Sequence, residues 1–220
     1  MLAKTDKIDA KVIALFAEKI QPKSDIILDE NQEELAELNA RRRQLIDMMI
    51  MEKNRLDKAS TDAKKSINRV LKVLEKELVS INEKQDILIT QDARYAQILQ
   101  LLITVKRIGP IVATALLANL PELGQLSAKQ ITALAGLAPF NRDSGTLRGK
   151  RTIWGGRASD RCSMYMATLV AIRHNDKIRE FYQRLCNAGK LKKVAIIACM
   201  RKLLICLNAM IKNKQTWQFA

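Results

Sequence analysis

The residue with the clearest capacity for covalent chemistry is Ser144, in the segment 136–151 that follows an apolar helical stretch. Gly145 comes next, and a glycine lets the backbone approach a bulky partner because it has no Cβ. The cations of this segment are Arg142, Arg148, Lys150 and Arg151. A phosphodiester is anionic and becomes more so when it is attacked, so one hydroxyl among four cations suits that substrate. The alternative is an ordinary serine on a solvated surface loop.

The net positive charge is confined to the second half of the chain. Lysine and arginine total 38 against 23 acidic residues, which gives a formal net charge of +15. Residues 1–100 are neutral, with 18 residues of each sign, and residues 101–220 hold the other 20 basic and 5 acidic residues. A one-sided basic half is typical of polyanion binders, since neutralised phosphates release counterions, although ribosomal and membrane-surface proteins share it. Aromatic residues are only 4% of the chain, which disfavours a single-strand binder built on base stacking.

Length and composition bound the remaining classes. The chain has 220 residues, 48% of them hydrophobic, which is enough for a proper core and one or two domains. Charged residues interrupt the long apolar runs, so we expect no membrane-spanning segment and a cytoplasmic protein. The four cysteines lack CxxC spacing and His174 is the only histidine, so we expect reduced thiols and no zinc site.

The chain reads as helical throughout, and the predicted fold class is all-α. A first helix runs from a Thr5 cap to about Ile20. After a polar linker at 23–31, a charge-dense segment extends to about Arg94 without glycine or proline. Its second half has the spacing of a coiled-coil seam, at Ile67, Leu71, Leu74, Leu78, Ile81, Gln85 and Leu88. Both a dimerising or arm-like coiled coil and a helical hairpin within one chain fit this pattern.

Residues 101–123 have the outline of a helix-hairpin-helix element. An apolar helix end, a tight Arg-Ile-Gly-Pro turn at 107–110 and a second apolar helix follow one another. The amides of such a turn and the next helix N-terminus bind a DNA backbone phosphate. Arg107 stands where the usual turn has its first glycine, and Gly109 keeps the second. A helical corner that only packs is the alternative.

The rest of the chain reads as helices around the serine loop. Ser127 caps a helix to Leu137, Ser159 caps another, and Asp176 begins a short one. The last helix is predicted from Leu191 to about Lys212. Basic residues that lack acidic partners in the sequence form a face there: Lys190, Lys192, Lys193, Arg201 and Lys202.

Three blocks of the sequence together resemble one family. They are KTDKIDAKVIALFA at 4–17, the IGP turn leading into SAKQITALAGLAP, and the SG-x₃-GKR loop with its basic helical tail. Their order and spacing are similar to those of bacterial insertion-sequence transposases of the DEDD class, the IS110 family. The resemblance covers nearly the whole chain and is most specific over residues 99–205.

The resemblance implies an enzyme of DNA transposition and recombination. In the family, four acids of a RuvC-like domain hold Mg²⁺, and a C-terminal domain carries a nucleophilic serine. Matched by position, the last two acids fall on Asp6 and Asp9, and the serine falls on Ser144, so these three are the implied catalytic residues. Asp6 and Asp9 are three positions apart and would share one helix face. Without the resemblance, Asp6 and Asp9 would be interpreted as acids of the first helical turn that are favoured by the helix dipole.

The resemblance also implies three domains: the end of the RuvC-like domain at 1–22, a coiled-coil arm at 23–97 and a helical transposase domain at 98–220. Met1 stands five residues before Asp6, so the strands bearing the first two acids are missing and the chain reads as N-terminally truncated. Expected partners are DNA, a structured guide RNA as in better understood members, and further copies in a dimer or tetramer, with no membrane and a nucleoid-associated location. Expected nucleic-acid contacts are Arg107, Gly109, Arg142, Gly145, Arg148, Lys150, Arg151, Lys190, Lys192 and Lys193.

Two other functions fit parts of the pattern. A non-catalytic nucleic-acid-binding protein would use the helix-hairpin-helix and basic tail, with Ser144 as a simple loop residue. A scaffold would assemble through the coiled coil, and its charge would be incidental. The first predicts that Ser144→Ala changes no activity, and the second predicts nucleic-acid affinity that hardly depends on salt.

Overall fold

Helices form nearly all the regular structure, which confirms the all-α class. The computed structural model describes residues 6–21, 29–106, 108–141, 143–146, 149 and 151–217. The helices found there are α1 (Asp6–Ile20), α2 (Glu30–Leu56), α3 (Thr61–Gln91), α4 (Ala93–Ile103), α5 (Pro110–Asn119), α6 (Ala128–Leu134), α7 (Ala158–His174), α8 (Asp176–Asn187) and α9 (Lys192–Asn213). A short antiparallel pair, β1 (Pro139–Phe140) and β2 (Thr152–Ile153), is the sheet.

The charge-dense segment folds back on itself as an antiparallel hairpin of α2 and α3, which pack against each other more than any other pair of elements. All seven predicted seam positions of α3 are buried or half-buried. The turn at 57–60 contains neither glycine nor proline, and Ser60 caps α3 by accepting a hydrogen bond from the Ala63 amide. The seam is therefore used within the chain, as the hairpin alternative expected. Pairing with a second copy stays a prediction.

The start of α2 attaches the hairpin to the rest of the fold through two residues, Asp29 and Gln32. Asp29, which caps α2, accepts hydrogen bonds from the Arg94 guanidinium at 2.6 Å and from the Tyr95 hydroxyl at 2.9 Å. Gln32 in α2 donates through Nε2 to the carbonyls of Leu117 and Ala118 at 3.0 and 2.9 Å. These are carbonyls of the last turn of α5, which have no partner within their own helix. The predicted boundary at 97/98 falls inside α4.

The main core lies in the second half of the chain, around α9. Leu203, Leu204 and Leu207 of α9 are fully buried against α4, α6, α7 and α8. Asn208 of α9 also donates to the Leu126 carbonyl and accepts from the Gly124 amide, at 2.9 and 2.8 Å. These bonds fix the connection between α5 and α6 on the core helix.

By length and composition α9 is apolar enough to span a membrane. The expectation that no segment of the chain is long and apolar enough was therefore wrong. Arg201 and Lys202 do not lower its mean hydropathy enough to exclude it. The burial of its leucines identifies it here as the central core helix, which passes the same test.

Two local predictions were imprecise. Ser127 does form a capping box with Gln130, but α6 ends at Leu134 instead of Leu137. Ser159 does not cap α7, because that helix starts one residue earlier, at Ala158, with Arg157 in the capping position. The Ser159 hydroxyl instead donates to Asp160 Oδ1 at 3.3 Å.

Helix α1 packs little on the other described elements. Its large apolar residues are all exposed: Ile8, Val12, Ile13, Leu15, Phe16 and Ile20. The predicted end of this helix at about Ile20 agrees with the structure, and the predicted Thr5 cap lies outside the described residues.

Candidate functional site: the serine loop

Ser144 lies in the loop of a β-hairpin. Pro139 pairs with Ile153 and Phe140 pairs with Thr152, so the chain leaves and returns across two short antiparallel strands. The serine is exposed between them. A two-residue strand is too short to give an alternating pattern, so the sequence predicted a loop here and missed the strands.

The hairpin closes onto the helical core through two glycines. Gly136 and Gly156 have φ of +65° and +63°, and a Cβ on either would collide with backbone of the other segment. The Arg157 amide also donates to the Leu134 carbonyl at 2.9 Å. The end of α6 and the start of α7 are thus held backbone to backbone, and the loop between them has a fixed base.

Gly145 has the open surroundings that the sequence argument required. Its φ is +57°, and a Cβ built there would meet nothing within 4 Å. That left-handed conformation favours glycine. It is a second reason for a glycine at this position, which the sequence alone did not reveal. No described residue fills the space at Gly145, next to Ser144, where a large partner could approach.

Of the four loop cations, the structure describes one. Arg151 is exposed at the end of the loop, next to β2. Arg142, Arg148 and Lys150 lie outside the described residues. Their grouping around Ser144 therefore remains a sequence prediction, as does any contact with a phosphate.

The basic tail meets the base of this hairpin in a cavity of about 410 Å³. The strands and the residue before them contribute Leu137, Pro139, Thr152 and Ile153, and the loop contributes Arg151. The start of α9 and the residue before it contribute Leu191, Lys193, Val194, Ile197, Ala198 and Arg201. The sequence marked Arg151 and Lys193 as separate candidates, about forty positions apart, and gave no sign that they share a site.

The surroundings of the cavity are strongly basic. Lys190, Lys192 and Lys193 are all exposed, as predicted for the tail. The second half of the chain has only 5 acidic residues. Two of them form ion pairs with arginines and a third is buried away from the surface. Glu122 pairs with Arg157, Asp176 pairs with Arg179, and Asp160 is buried.

Two exposed aromatic residues of the hairpin are next in sequence to residues that line the cavity, and the sequence analysis overlooked both. Trp154 follows Ile153 and is 75% exposed, and Phe140 follows Pro139 and is 50% exposed. A low aromatic content argued against base stacking over the whole chain. Their position at the base of the serine loop is a local exception that composition cannot reveal.

The predicted phosphate-binding turn lies between the end of α4 and the start of α5. Gly109 caps α5 with no side-chain hydrogen bond, and Pro110 occupies the first turn. The φ of Gly109 is −83°, so its conformation does not demand glycine. Arg107 is outside the described residues, and its role stays a prediction.

The predicted metal-binding acids lie on α1, one turn apart in sequence. Asp9 is half-exposed, and the side chain of Asp6 is not described. Carboxylate oxygens are suitable donors for Mg²⁺, which is commonly held by one or two of them together with waters and substrate phosphate. Among the residues that the structure describes, no group of three or more histidine, cysteine or acidic side chains could hold a metal ion. This donor set fits at most a part of a metal site.

The surroundings of the buried Cys199 and Asp160 disfavour both as nucleophiles. Burial raises the pKa of the Cys199 thiol to about 11, so it stays protonated at neutral pH. Burial also raises the pKa of Asp160 to about 7, and Arg157 partly opposes this shift. Asp160 lies in the first turn of α7 and its Oδ2 has no hydrogen-bond partner in the described structure.

The comparisons with known proteins agree with this architecture. The model of the transposase IS116/IS110/IS902 family matches residues 99–183, which include the turn, the serine hairpin and α7. A second transposase model, of the DEDD type in IS110 elements, matches residues 2–63. The two matches cover the blocks on which the resemblance was based, except for the basic tail at 190–202.

Three relatives match parts or most of the chain. The pilin gene-inverting protein of Moraxella lacunata is 30% identical over 96% of the chain and 67% of its own length. Its counterpart in Moraxella bovis is 29% identical over the same shares. The insertion element IS900 uncharacterized 42 kDa protein of Mycobacterium paratuberculosis is 36% identical over 40% of the chain and 22% of its own length. This chain is therefore a member of the IS110 family of transposases, enzymes of DNA transposition and recombination.

Proposed function

We propose that Ser144 is the nucleophile with which this transposase cleaves and rejoins DNA strands. The observation that carries the proposal is the hairpin itself. It presents one hydroxyl, exposed next to an open glycine, on a base fixed to the helical core. The sequence adds cations on both sides of that hydroxyl.

The reaction is a phosphoryl transfer from a sugar oxygen of the DNA to the serine hydroxyl. Ser144 Oγ forms a bond to phosphorus, the bond from phosphorus to one strand's sugar oxygen breaks, and the hydroxyl proton ends on that leaving oxygen. The phosphoserine link conserves the energy of the broken bond, so a second sugar hydroxyl can displace the serine and reseal the strand. Arg151 and the neighbouring loop cations would hold the backbone and stabilise the extra negative charge on the phosphate.

Asp6 and Asp9 would hold a divalent ion, expected to be Mg²⁺, together with acids from elsewhere. Such an ion, when bound, stabilises negative charge on a phosphate. The two aspartates lie on a helix with little packing, so an adjoining surface must position them before they can serve the serine site. Further copies of the chain and a structured guide RNA remain proposed partners.

The domain division is also a proposal: the end of a RuvC-like domain at 1–22, a coiled-coil arm at 23–97 and the transposase domain at 98–220. The α2–α3 hairpin supports an arm, because its outer faces carry exposed charged residues and a few exposed apolar ones such as Val73 and Val79.

The test is capture of a covalent adduct. The full chain is incubated with Mg²⁺ and end-labelled DNA from the junctions that flank its own gene, and the mixture is resolved under denaturing conditions. We expect a labelled protein band with the wild type and none with Ser144→Ala. Thr146→Ala is the matched control, because Thr146 is an exposed hydroxyl residue of the same loop and should leave the adduct intact.

Binding separates this proposal from its rivals. Ser144→Ala should bind duplex DNA as tightly as the wild type, with the same steep fall of affinity with salt. DNA binding without any adduct in the wild type would contradict the nucleophile and favour a binding protein. Affinity that hardly changes with salt would favour a scaffold.

A further inference from the structure

We propose that the cavity at the base of the serine loop binds an unstacked nucleobase of the DNA strand that the loop holds. The inference rests on the proposed function and adds a subsite to it. The cavity lies between the hairpin, represented by Pro139 and Ile153, and the first turns of α9, represented by Val194 and Ile197.

The cavity has two chemical characters. Its walls are aliphatic, from leucine, isoleucine, valine, alanine and proline side chains. Its charged members are Arg151, Lys193 and Arg201, and none of the described residues that line it is acidic. A nucleotide unit has the matching character, with a flat base of low charge joined to an anionic phosphate. A single ligand of this kind satisfies both the walls and the cations.

The size agrees with a ligand of that kind. About 410 Å³ falls in the range of roughly 300–1,000 Å³ that is usual for small-molecule sites. The cavity is partly formed by residues that stay exposed without a ligand, such as Leu191 at 76% and Val194 at 49%. Exposed aliphatic side chains within a lysine-rich segment are unfavourable in water, and a base would cover them.

Two aromatic residues of the hairpin offer stacking surfaces. Phe140 lies in β1 and Trp154 directly follows β2, and both present much of their rings to solvent. Base–aromatic stacking tolerates any base, because every base has a π-face. The subsite would therefore accept a base without selecting a sequence.

The position of Arg151 connects the cavity to the chemistry. This residue ends the serine loop and also lines the cavity. Enzymes that do chemistry on a base show that a nucleotide can be turned out of a duplex when contacts to the base offset the cost of unstacking. A base turned out into this cavity would draw its own phosphate away from the duplex and toward the hairpin that carries Ser144.

Charge argues against a protein segment as the occupant. An apolar helix from a second copy would match the aliphatic walls, and α1 is an exposed apolar helix. However, α1 carries as many lysines as acidic residues, three of each, so it has no net negative charge to match the cations of the cavity. A polyanion does.

The experiment uses 2-aminopurine, a base analogue whose fluorescence rises when it leaves the stack. The full chain is titrated into short duplexes with one 2-aminopurine, either fully paired or in a single-nucleotide bulge. Acrylamide quenching is measured on the bound DNA. We expect tighter binding of the bulged duplex, and a several-fold loss of quenching because the unstacked base enters the cavity.

Filling the cavity provides the matched variants. Ala198→Phe places a ring inside it, and Ala209→Phe puts the same ring on an exposed position of α9, eleven residues further along. Circular dichroism melting checks that both remain folded. Ala198→Phe should restore acrylamide quenching and remove the preference for the bulge, while the affinity for paired duplex and its salt dependence stay unchanged. Ala209→Phe should behave as the wild type.

The outcomes separate this inference from the function on which it rests. Binding to paired duplex with full quenching of the bulged base, or an Ala198→Phe variant equal to the wild type, overturns the base subsite alone. A change in sedimentation caused by Ala198→Phe would show an interface between copies and also overturn it. No binding to either duplex would overturn the proposed function as well.

Discussion

Arg157 and Glu122 form a two-point ion pair, with Nη2 to Oε1 at 2.6 Å and Nη1 to Oε2 at 2.8 Å. Arg157 Nη1 also donates to the Asn119 carbonyl at 2.6 Å. One side chain thus ties the residue before α7, just after the serine hairpin, to the end of α5. The segment after the serine hairpin is therefore tied to the C-terminal end of α5, the helix that begins at the predicted phosphate-binding turn.

Removing that contact should destabilise the chain. We expect Arg157→Ala to lower the free energy of unfolding by about 1–3 kcal/mol, because the pair is charge-assisted, bidentate and partly buried. Urea denaturation measures the change, and a double-mutant cycle with Glu122→Gln isolates the pair. Arg179→Ala is the control, since its exposed pair with Asp176 should contribute about 0–1 kcal/mol. Equal losses for the two arginines would show that Arg157 has no special structural role.

The contact between Gly136 and Gly156 predicts a difference between neighbouring glycines. Gly155 and Gly156 both have positive φ, but only at Gly156 would a Cβ collide with backbone. Gly155→Ala should cost about 1–2 kcal/mol for the left-handed conformation alone. Gly156→Ala should cost considerably more, because the base of the hairpin must open. The unfolding midpoints of both variants in urea test this, and similar midpoints would contradict the close packing.

Two buried glutamines should respond in opposite directions to the same substitution. Gln32 donates to two carbonyls of α5, whereas Gln85 Nε2 has no partner in the described structure. Gln32→Leu should lower stability by about 1–3 kcal/mol, because it leaves buried carbonyls unsatisfied. Gln85→Leu should be neutral or stabilising, because a buried unpaired amide is replaced by an apolar group.

Thermal melting of these two variants provides the comparison, and each serves as the other's control for packing a leucine between α2 and α3. A loss of stability in Gln85→Leu as large as that in Gln32→Leu would show that the Gln85 amide has a stabilising partner.

Asp160 predicts a pH dependence of stability. Its pKa is raised to about 7 in the folded chain, by burial first, against an ordinary value of 3.8. The folded state therefore binds more protons than the unfolded state between these values, and stability falls as the pH rises through that window. Above pH 7 the native state carries the full cost of a buried charge.

Asp160→Asn should remove this dependence. One pKa unit corresponds to about 1.4 kcal/mol, so we expect a gain of about 1–3 kcal/mol at pH 8 and little gain at pH 4. Melting curves across this range provide the test. Glu180→Gln, an exposed acid on α8, is the control and should shift neither end. A constant difference between wild type and Asp160→Asn at all pH values would contradict the raised pKa.

Periodicity predicted the long elements well. The seam of α3 appears as its inward face because seven positions repeat over six turns, and such a pattern has few alternative explanations. The end of α1 and the bounds of α9 agreed within one or two residues for the same reason. The sequence could not decide between a hairpin and an intermolecular pair, since both bury the same face. The structure shows the hairpin, whose turn depends on a single cap at Ser60.

The site was predicted only in its parts. Ser144 and Gly145 stood out by residue type, and Lys193 by charge, but the cavity is built by residues distant in sequence. Trp154 and Phe140 carried no signal, because exposure follows from tertiary packing and the strands of the hairpin are only two residues long. Ser159 showed the opposite problem, a good capping residue displaced by one position when the Arg157 contacts fixed the start of α7.

The backbone contact of Gly136 with Gly156 makes the chain leave the helical core and return to it at one point. The loop between them is therefore closed by these backbone contacts, whatever residues the loop itself contains. The entropy of closing a flexible loop grows only slowly with length, by about 0.6 kcal/mol for each doubling. Insertions and substitutions between β1 and β2 can consequently change the surface that the loop presents while they hardly change the stability of the core. Such a loop can diversify faster than the scaffold that holds it.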